Sequence, residues 1–176
     1  MKRTIGITLA MYLVGMVWIT VSPASARETT IKIGSGVYLD ETQIGGNFQV
    51  DIPVAKEGKI NISPFVDAYV SKKWTKIGGG GLNLLFKGGA GEAGKIFFGV
   101  GGGYGQARLH GENANGALAT ALFGGEFAAS EKISIFIQGR WLAVFGGEVV
   151  VSNVGTYDLN ARHFAIEAGI AFNVGE

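Results

Sequence analysis

From Thr30 to Val174 the chain alternates apolar and polar positions with a period of two, and no stretch there repeats at helical spacing. The last run shows the alternation most completely. Over Leu159 to Val174, Phe164, Ile166, Ala168, Ile170, Phe172 and Val174 form one apolar face, while His163, Glu167, Gly169 and Asn173 fall on the other. A strand divided in this way belongs between an apolar surrounding and a polar one.

Seven similar runs precede it, separated by polar or glycine-bearing breaks. Thr30 to Tyr38 sets Ile31, Ile33 and Val37 against Thr30, Lys32 and Gly34. Gly45 to Val54 sets Phe48, Val50, Ile52 and Val54 against Asn47, Gln49 and Asp51. After a short Lys56-Glu57-Gly58 turn, Lys59 to Val70 opposes Ile60, Ile62, Val66 and Val70 to Asn61, Ser63, Asp67 and Tyr69. Trp74 to Phe86 holds four consecutive glycines, Gly78 to Gly81, then Leu82, Leu84 and Phe86 opposite Asn83. Lys95 to Leu109 alternates through Ile96, Phe98 and Val100, but Gln106 and Arg108 share their parity. Either a bulge resets the face there or those two lie beyond the apolar zone. Ala117 to Ala128 places Phe123 and Phe127 opposite Thr120, Gly124 and Glu126; Lys132 to Phe145 places Ile133, Ile135, Ile137, Trp141 and Phe145 opposite Ser134, Gln138 and Arg140. The breaks are expected at Lys87 to Gly94, Gly111 to Gly116 and Gly146 to Tyr157, the last being the candidate surface for a partner.

Eight such strands predict an all-β protein, an eight-stranded antiparallel up-and-down transmembrane β-barrel. Each run approaches the length needed to cross a bilayer at a tilt, and only a closed barrel leaves no strand backbone unpaired in lipid. Counting strands from one end places Phe86, Phe97 or Phe98, Phe127 and Phe172 at one rim, and Trp74, Trp141, Phe145 and Phe164 at the other. These are two aromatic girdles. The polar face becomes a lumen just wide enough for side chains to fill. Lys32, Asp51, Asp67, Glu126, Arg140 and Glu167 are therefore expected to pair across it, because buried charges need partners. Pro53 and Pro64 lack a ladder donor, so a bulge or a strand end is expected near each.

Composition changes this picture in three places. Lys2 and Arg3, the apolar stretch Ile5 to Val21 and Ala24-Ser25-Ala26 have the order of a secretory signal peptide, predicting a cleaved segment 1–26 and a domain over 27–176. Of fifteen basic and fourteen acidic residues that segment takes two basic ones, leaving thirteen against fourteen and a net charge of −1. Nothing in that balance recommends nucleic acid as a partner. There is no cysteine, so neither disulfides nor thiolate metal sites arise. The 30 glycines are interleaved with Val, Ile, Phe and Tyr, which favours strands over low-complexity disorder.

The strand pattern, Gly-Gly-Gly-Tyr-Gly at 101 to 105 and the terminal Glu167-x-Gly169-x-x-Phe172-x-Val174 together resemble the small eight-stranded outer-membrane barrels, the outer-membrane-protein-A-like transmembrane domain and opacity-type surface proteins. The resemblance implies a place in the cell outer membrane among its lipids, with both termini in the periplasm. It also implies that Glu167, Gly169, Phe172 and Val174 form the signal read by the barrel assembly machinery. An outer-membrane barrel with a structural or surface-interaction role follows as the expected function, with slow passage of small solutes if the lumen is incompletely filled.

Catalytic chemistry is not indicated. His110 beside Glu112 and His163 near Glu167 are far apart in sequence, and His110-Gly111-Glu112 and His163-Phe164-Ala165 lack the serine of the His-x-Ser arrangement found in lipid A-modifying barrels. No Gly-rich stretch is followed by Lys-Ser/Thr and a helix, so a nucleotide loop is not expected, nor any cofactor or metal. The alternative is a secreted or periplasmic lipocalin-like barrel, whose apolar face would turn inward around a hydrophobic ligand. The periodicity serves both; only its direction differs.

Overall fold

The computed structural model describes residues 29–39, 43–55, 58–70, 76–89, 94–109, 112–151 and 155–175. The expected signal segment 1–26, Trp74 and His110 lie outside them. The strands are β1 (Thr29–Tyr38), β2 (Gln43–Pro53), β3 (Ile60–Val70), β4 (Lys76–Gly89), β5 (Gly94–Leu109), β6 (Glu112–Ala128), β7 (Ile133–Val151) and β8 (Gly155–Val174). Each pairs antiparallel with the next, and β1 pairs with β8, closing the barrel. The closing seam runs from Thr29 opposite Val174 to Tyr38 opposite Ala165. Every strand thus has two neighbours along the barrel wall, so the wall has no open edge.

The direction of the alternation is unambiguous. Ile33, Phe48, Ile62, Leu84, Phe98, Phe123, Ile135, Ile137, Ile170 and Phe172 are exposed outward, while Lys32, Asp51, Asp67, Arg140 and Glu167 are buried inside. Phe123 keeps 60% of its surface exposed and Arg140 none, the inverse of a water-soluble protein. The lipocalin-like reading, which needs the apolar face inward, is overturned by this orientation. One end of the barrel carries Thr29 and Val174 and short turns such as the one through Gly58, which has a left-handed φ of 65°. The opposite end carries the longer hairpins.

Several strand expectations are corrected. The Gly111 to Gly116 break is largely strand, since β6 begins at Glu112 and pairs with Leu109. The Gly146 to Tyr157 break is likewise a ladder in which β7 and β8 pair as far as Val151 opposite Gly155. The first was misread because glycine and polar residues lower strand propensity, the second because Gly146 and Gly147 interrupt the alternation ahead of Val149 to Val151; an antiparallel ribbon beyond the barrel wall needs no apolar face. A register shift between Phe145 and Gly147, with Gly146 at φ 78°, marks the bulge where that ribbon leaves the barrel wall. The break after strand four also begins late: Lys87, Gly88 and Gly89 pair with Phe97, Ile96 and Lys95.

Pro53 does end β2, but Pro64 sits mid-strand opposite Leu82 without a bulge. The β2–β3 ladder keeps one register on either side, Gln49 opposite Phe65 and Ile52 opposite Ile62. The missing donor is absorbed locally. In β5 the ladders run unbroken from Gly94 to Leu109, so Gln106 and Arg108 keep the outward parity at the far end, where Gln106 bonds Asn115 at 3.0 Å. Of the pair Phe97 or Phe98, Phe98 is the rim residue, stacked on Phe86 at 4.9 Å, and Phe97 turns into the lumen.

Candidate functional site: an ion-paired lumen

Inward positions of all eight strands converge on a filled interior. At the terminal end, Lys32 from β1 lies 2.9 Å from Asp51 and also bonds Glu126. Lys87 from β4 reaches the same two carboxylates, at 2.7 Å from Asp51 and 3.2 Å from Glu126. Two ammonium groups between two carboxylates make a closed four-membered cluster. Phe97 caps it, its ring centroid 3.9 Å from the Lys32 ammonium, a cation–π contact. Ser63 and Gln49 each donate to Asp51 at 2.7 Å.

Arg140 organises the middle of the lumen. Its Nη1 donates to Asp67 at 2.8 Å, its Nε to Glu167 at 3.2 Å and its Nη2 to Gln49 at 3.0 Å. Glu167 also accepts from Tyr69 and Gln138. Gln49 accepts from Arg140 and donates to Asp51, so it joins the two clusters into one network spanning β1 to β4 and β6 to β8. Above Arg140, toward the long hairpins, Tyr38, Phe65, Tyr69, Ile77, Leu118, Leu142, Val144 and Ala165 pack as an apolar cluster inside the barrel. His163 is buried there beside Tyr38, with ring centroids 5.2 Å apart.

The structure brings together Lys32, Asp51 and Glu126 in one cluster and Asp67, Arg140 and Glu167 in the other. Lys87 was missed because the strand was ended at Phe86, although its parity matches the inward Asn83 and Leu85. The apolar upper cluster was missed because the inward parity of β7 also carries Phe136, Leu142 and Val144, residues that amphipathic patterning assigns to the outside. Inward glycines make room for these large groups. A Cβ on Gly34 or Gly169 would meet the Phe136 ring within 2.8 Å, and one on Gly124 would meet Phe97 at 2.7 Å. Among the described residues no group of three or more His, Cys, Asp or Glu side chains is arranged to hold a metal. Glu167 and Gly169 of the terminal motif face inward, and Phe172 and Val174 face outward at the terminal end.

This architecture has close counterparts among solved structures. Neisserial surface protein A superposes with a TM-score of 0.64 at 12% identity, covering 87% of this chain and 100% of that one. The fold is that of the small outer-membrane β-barrels. The N-terminal β-barrel domain of Pseudomonas aeruginosa OprF matches this barrel with a TM-score of 0.56 at 12% identity, covering 84% of this chain and 97% of that domain. No family profile and no curated protein sequence matches the chain. At such identity the shared property is the outer-membrane barrel architecture itself.

Proposed function

We propose that this chain is an integral protein of the bacterial outer membrane whose filled barrel anchors and presents its long hairpins at the cell surface, in a structural or surface-interaction role. The observation that carries this reading is the inverted polarity: an apolar exterior around a buried, charged and hydrogen-bonded interior, which only lipid outside makes stable. The terminal end then faces the periplasm and the β5–β6 and β7–β8 ribbons face outward, toward an extracellular partner that they would contact. A lumen closed by Arg140 and the apolar cluster above it favours an anchor over a pore for small solutes.

Glu167, Gly169, Phe172 and Val174 are proposed as the signal for the barrel assembly machinery. Phe172 and Val174 present exposed side chains on the last strand, where an assembly factor has access before β1 and β8 close. The experiment is fractionation followed by electrophoresis of heated and unheated samples. Retention in the outer membrane through salt and alkaline washes, with a mobility shift on heating, is expected. Release as a soluble periplasmic protein would sink the reading.

A further inference from the structure

The charges in the lumen do not balance, and the imbalance has an address. Among the described residues the buried cations Lys32, Lys87 and Arg140 face the buried carboxylates of Asp51, Glu126, Asp67 and Glu167. The terminal-end cluster is neutral, two against two. The surplus negative charge therefore falls in the middle, where among the described residues Arg140 is the one cation paired with Asp67 and Glu167. Both oxygens of Glu167 accept hydrogen bonds, from Tyr69 on one side and from Gln138 and Arg140 on the other. Asp67 has only its Oδ2 engaged, by Arg140; its Oδ1 is buried with no hydrogen-bond partner among the described residues.

The surroundings of that oxygen are polar and equally unsatisfied. Asn47 lies directly across the β2–β3 ladder from Asp67, is 4% exposed, and neither its Oδ1 nor its Nδ2 has a partner among the described residues. On the other side Asp67 faces Gly79, which contributes no side chain. The Tyr38 hydroxyl, on a ring stacked 4.0 Å from that of Tyr69, is also buried without a partner. Oxygen acceptors around one uncompensated negative charge in a low-dielectric interior suit a hard cation bearing one positive charge. A divalent ion would overshoot the balance.

We infer that the lumen binds a single alkali cation, sodium or potassium, against Asp67 Oδ1 with Asn47 and Tyr38 as oxygen ligands. A proton on Asp67, or a charge on His163 beside Tyr38, would supply the same neutralisation, and the experiment separates these sources. The full-length folded protein in detergent micelles is melted at a pH near 8, where an ordinary histidine is neutral, in sodium, potassium or choline chloride of equal ionic strength. The expected result is a saturable rise in the midpoint in sodium or potassium over choline. Asp67→Asn should weaken the apparent cation affinity by at least the roughly 10- to 100-fold that losing an outer-shell partner costs a metal site. Asn47→Asp, which adds a carboxylate, should strengthen the response. Both variants are checked for the heat-dependent mobility shift, so a failure to fold is seen as such. Crystals grown with thallium(I) should show an anomalous peak bonded to Asp67. Equal midpoints in choline and alkali salts, a midpoint that follows pH and ignores the cation, an unchanged response in Asp67→Asn, or a thallium peak away from Asp67 would each overturn the assignment.

Discussion

At the scale of single residues, the interior is held by a few groups that cannot be removed one at a time. Arg140→Ala strands Asp67 and Glu167 as buried anions and is expected to cost about 3–5 kcal/mol in urea unfolding from lipid vesicles. Lys87→Met is expected to cost less, because Lys32 still contacts both of its partners. The glycines divide as sharply. A Cβ at Gly103 would lie 2.1 Å from the Gly80 carbonyl oxygen, while one at Gly89 meets nothing within 4 Å. Gly103→Ala should therefore abolish the heat-dependent mobility shift and Gly89→Ala should leave it intact. Much of this was legible in the sequence. Parity alone puts Lys32, Asp51, Asp67, Glu126, Arg140 and Glu167 on the polar face. Parity also puts Phe97 and Phe136 on that face; what it cannot say is that each lies over a bare glycine of the neighbouring strand, Gly124 and Gly169, since that depends on the register between strands.

At the scale of elements, strand identity was clearer than strand length. An alternating apolar face is a signal only where lipid or a core selects it, so the runs were readable from Ile133 to Phe145 and from Phe164 to Val174. Beyond Phe145 the ribbon is a plain ladder of backbone hydrogen bonds, and Gly146 and Gly147 break the alternation there. The ribbon's independence from the barrel has a direct test. Replacing residues 147–158 by a two-residue Asn-Gly turn should leave the barrel folded and heat-modifiable, since Phe145 opposite Asn160 still closes the hairpin. Gly146→Ala, at a left-handed position with open space around it, is expected to cost about 1 kcal/mol through backbone strain alone.

At the scale of the whole molecule, inside and outside exchange the roles they have in a soluble protein, and the cost of a charge exchanges with them. Ile137→Arg, near the middle of the outward belt, should destabilise the barrel in bilayers by about 2–4 kcal/mol. An arginine at Val149, in the β7–β8 ribbon beyond the last β6 pairing at Phe145, should cost almost nothing. Because the lumen is filled from the Lys32 cluster to the apolar residues beneath the hairpins, purified protein in planar bilayers is expected to show no discrete conductance steps. Steady single-channel openings would mean that the Arg140 network parts under ordinary conditions.

The seam between β1 and β8 joins residues 127 to 145 positions apart, from Tyr38 opposite Ala165 to Thr29 opposite Val174, and Thr30 donates to Asn173 across it, 143 positions away. Tyr69 and Glu167 are 98 apart, and Arg140 and Asp67 are 73 apart. No interior bond of this kind rewards a half-built wall. Neighbouring strands can make their own bonds early, as Ser63 does with Asp51 and Arg140 with Glu167, but the bonds that tie the two halves of the ring together wait for it to shut. The last contacts to form are therefore the ones that seal the charges away from water.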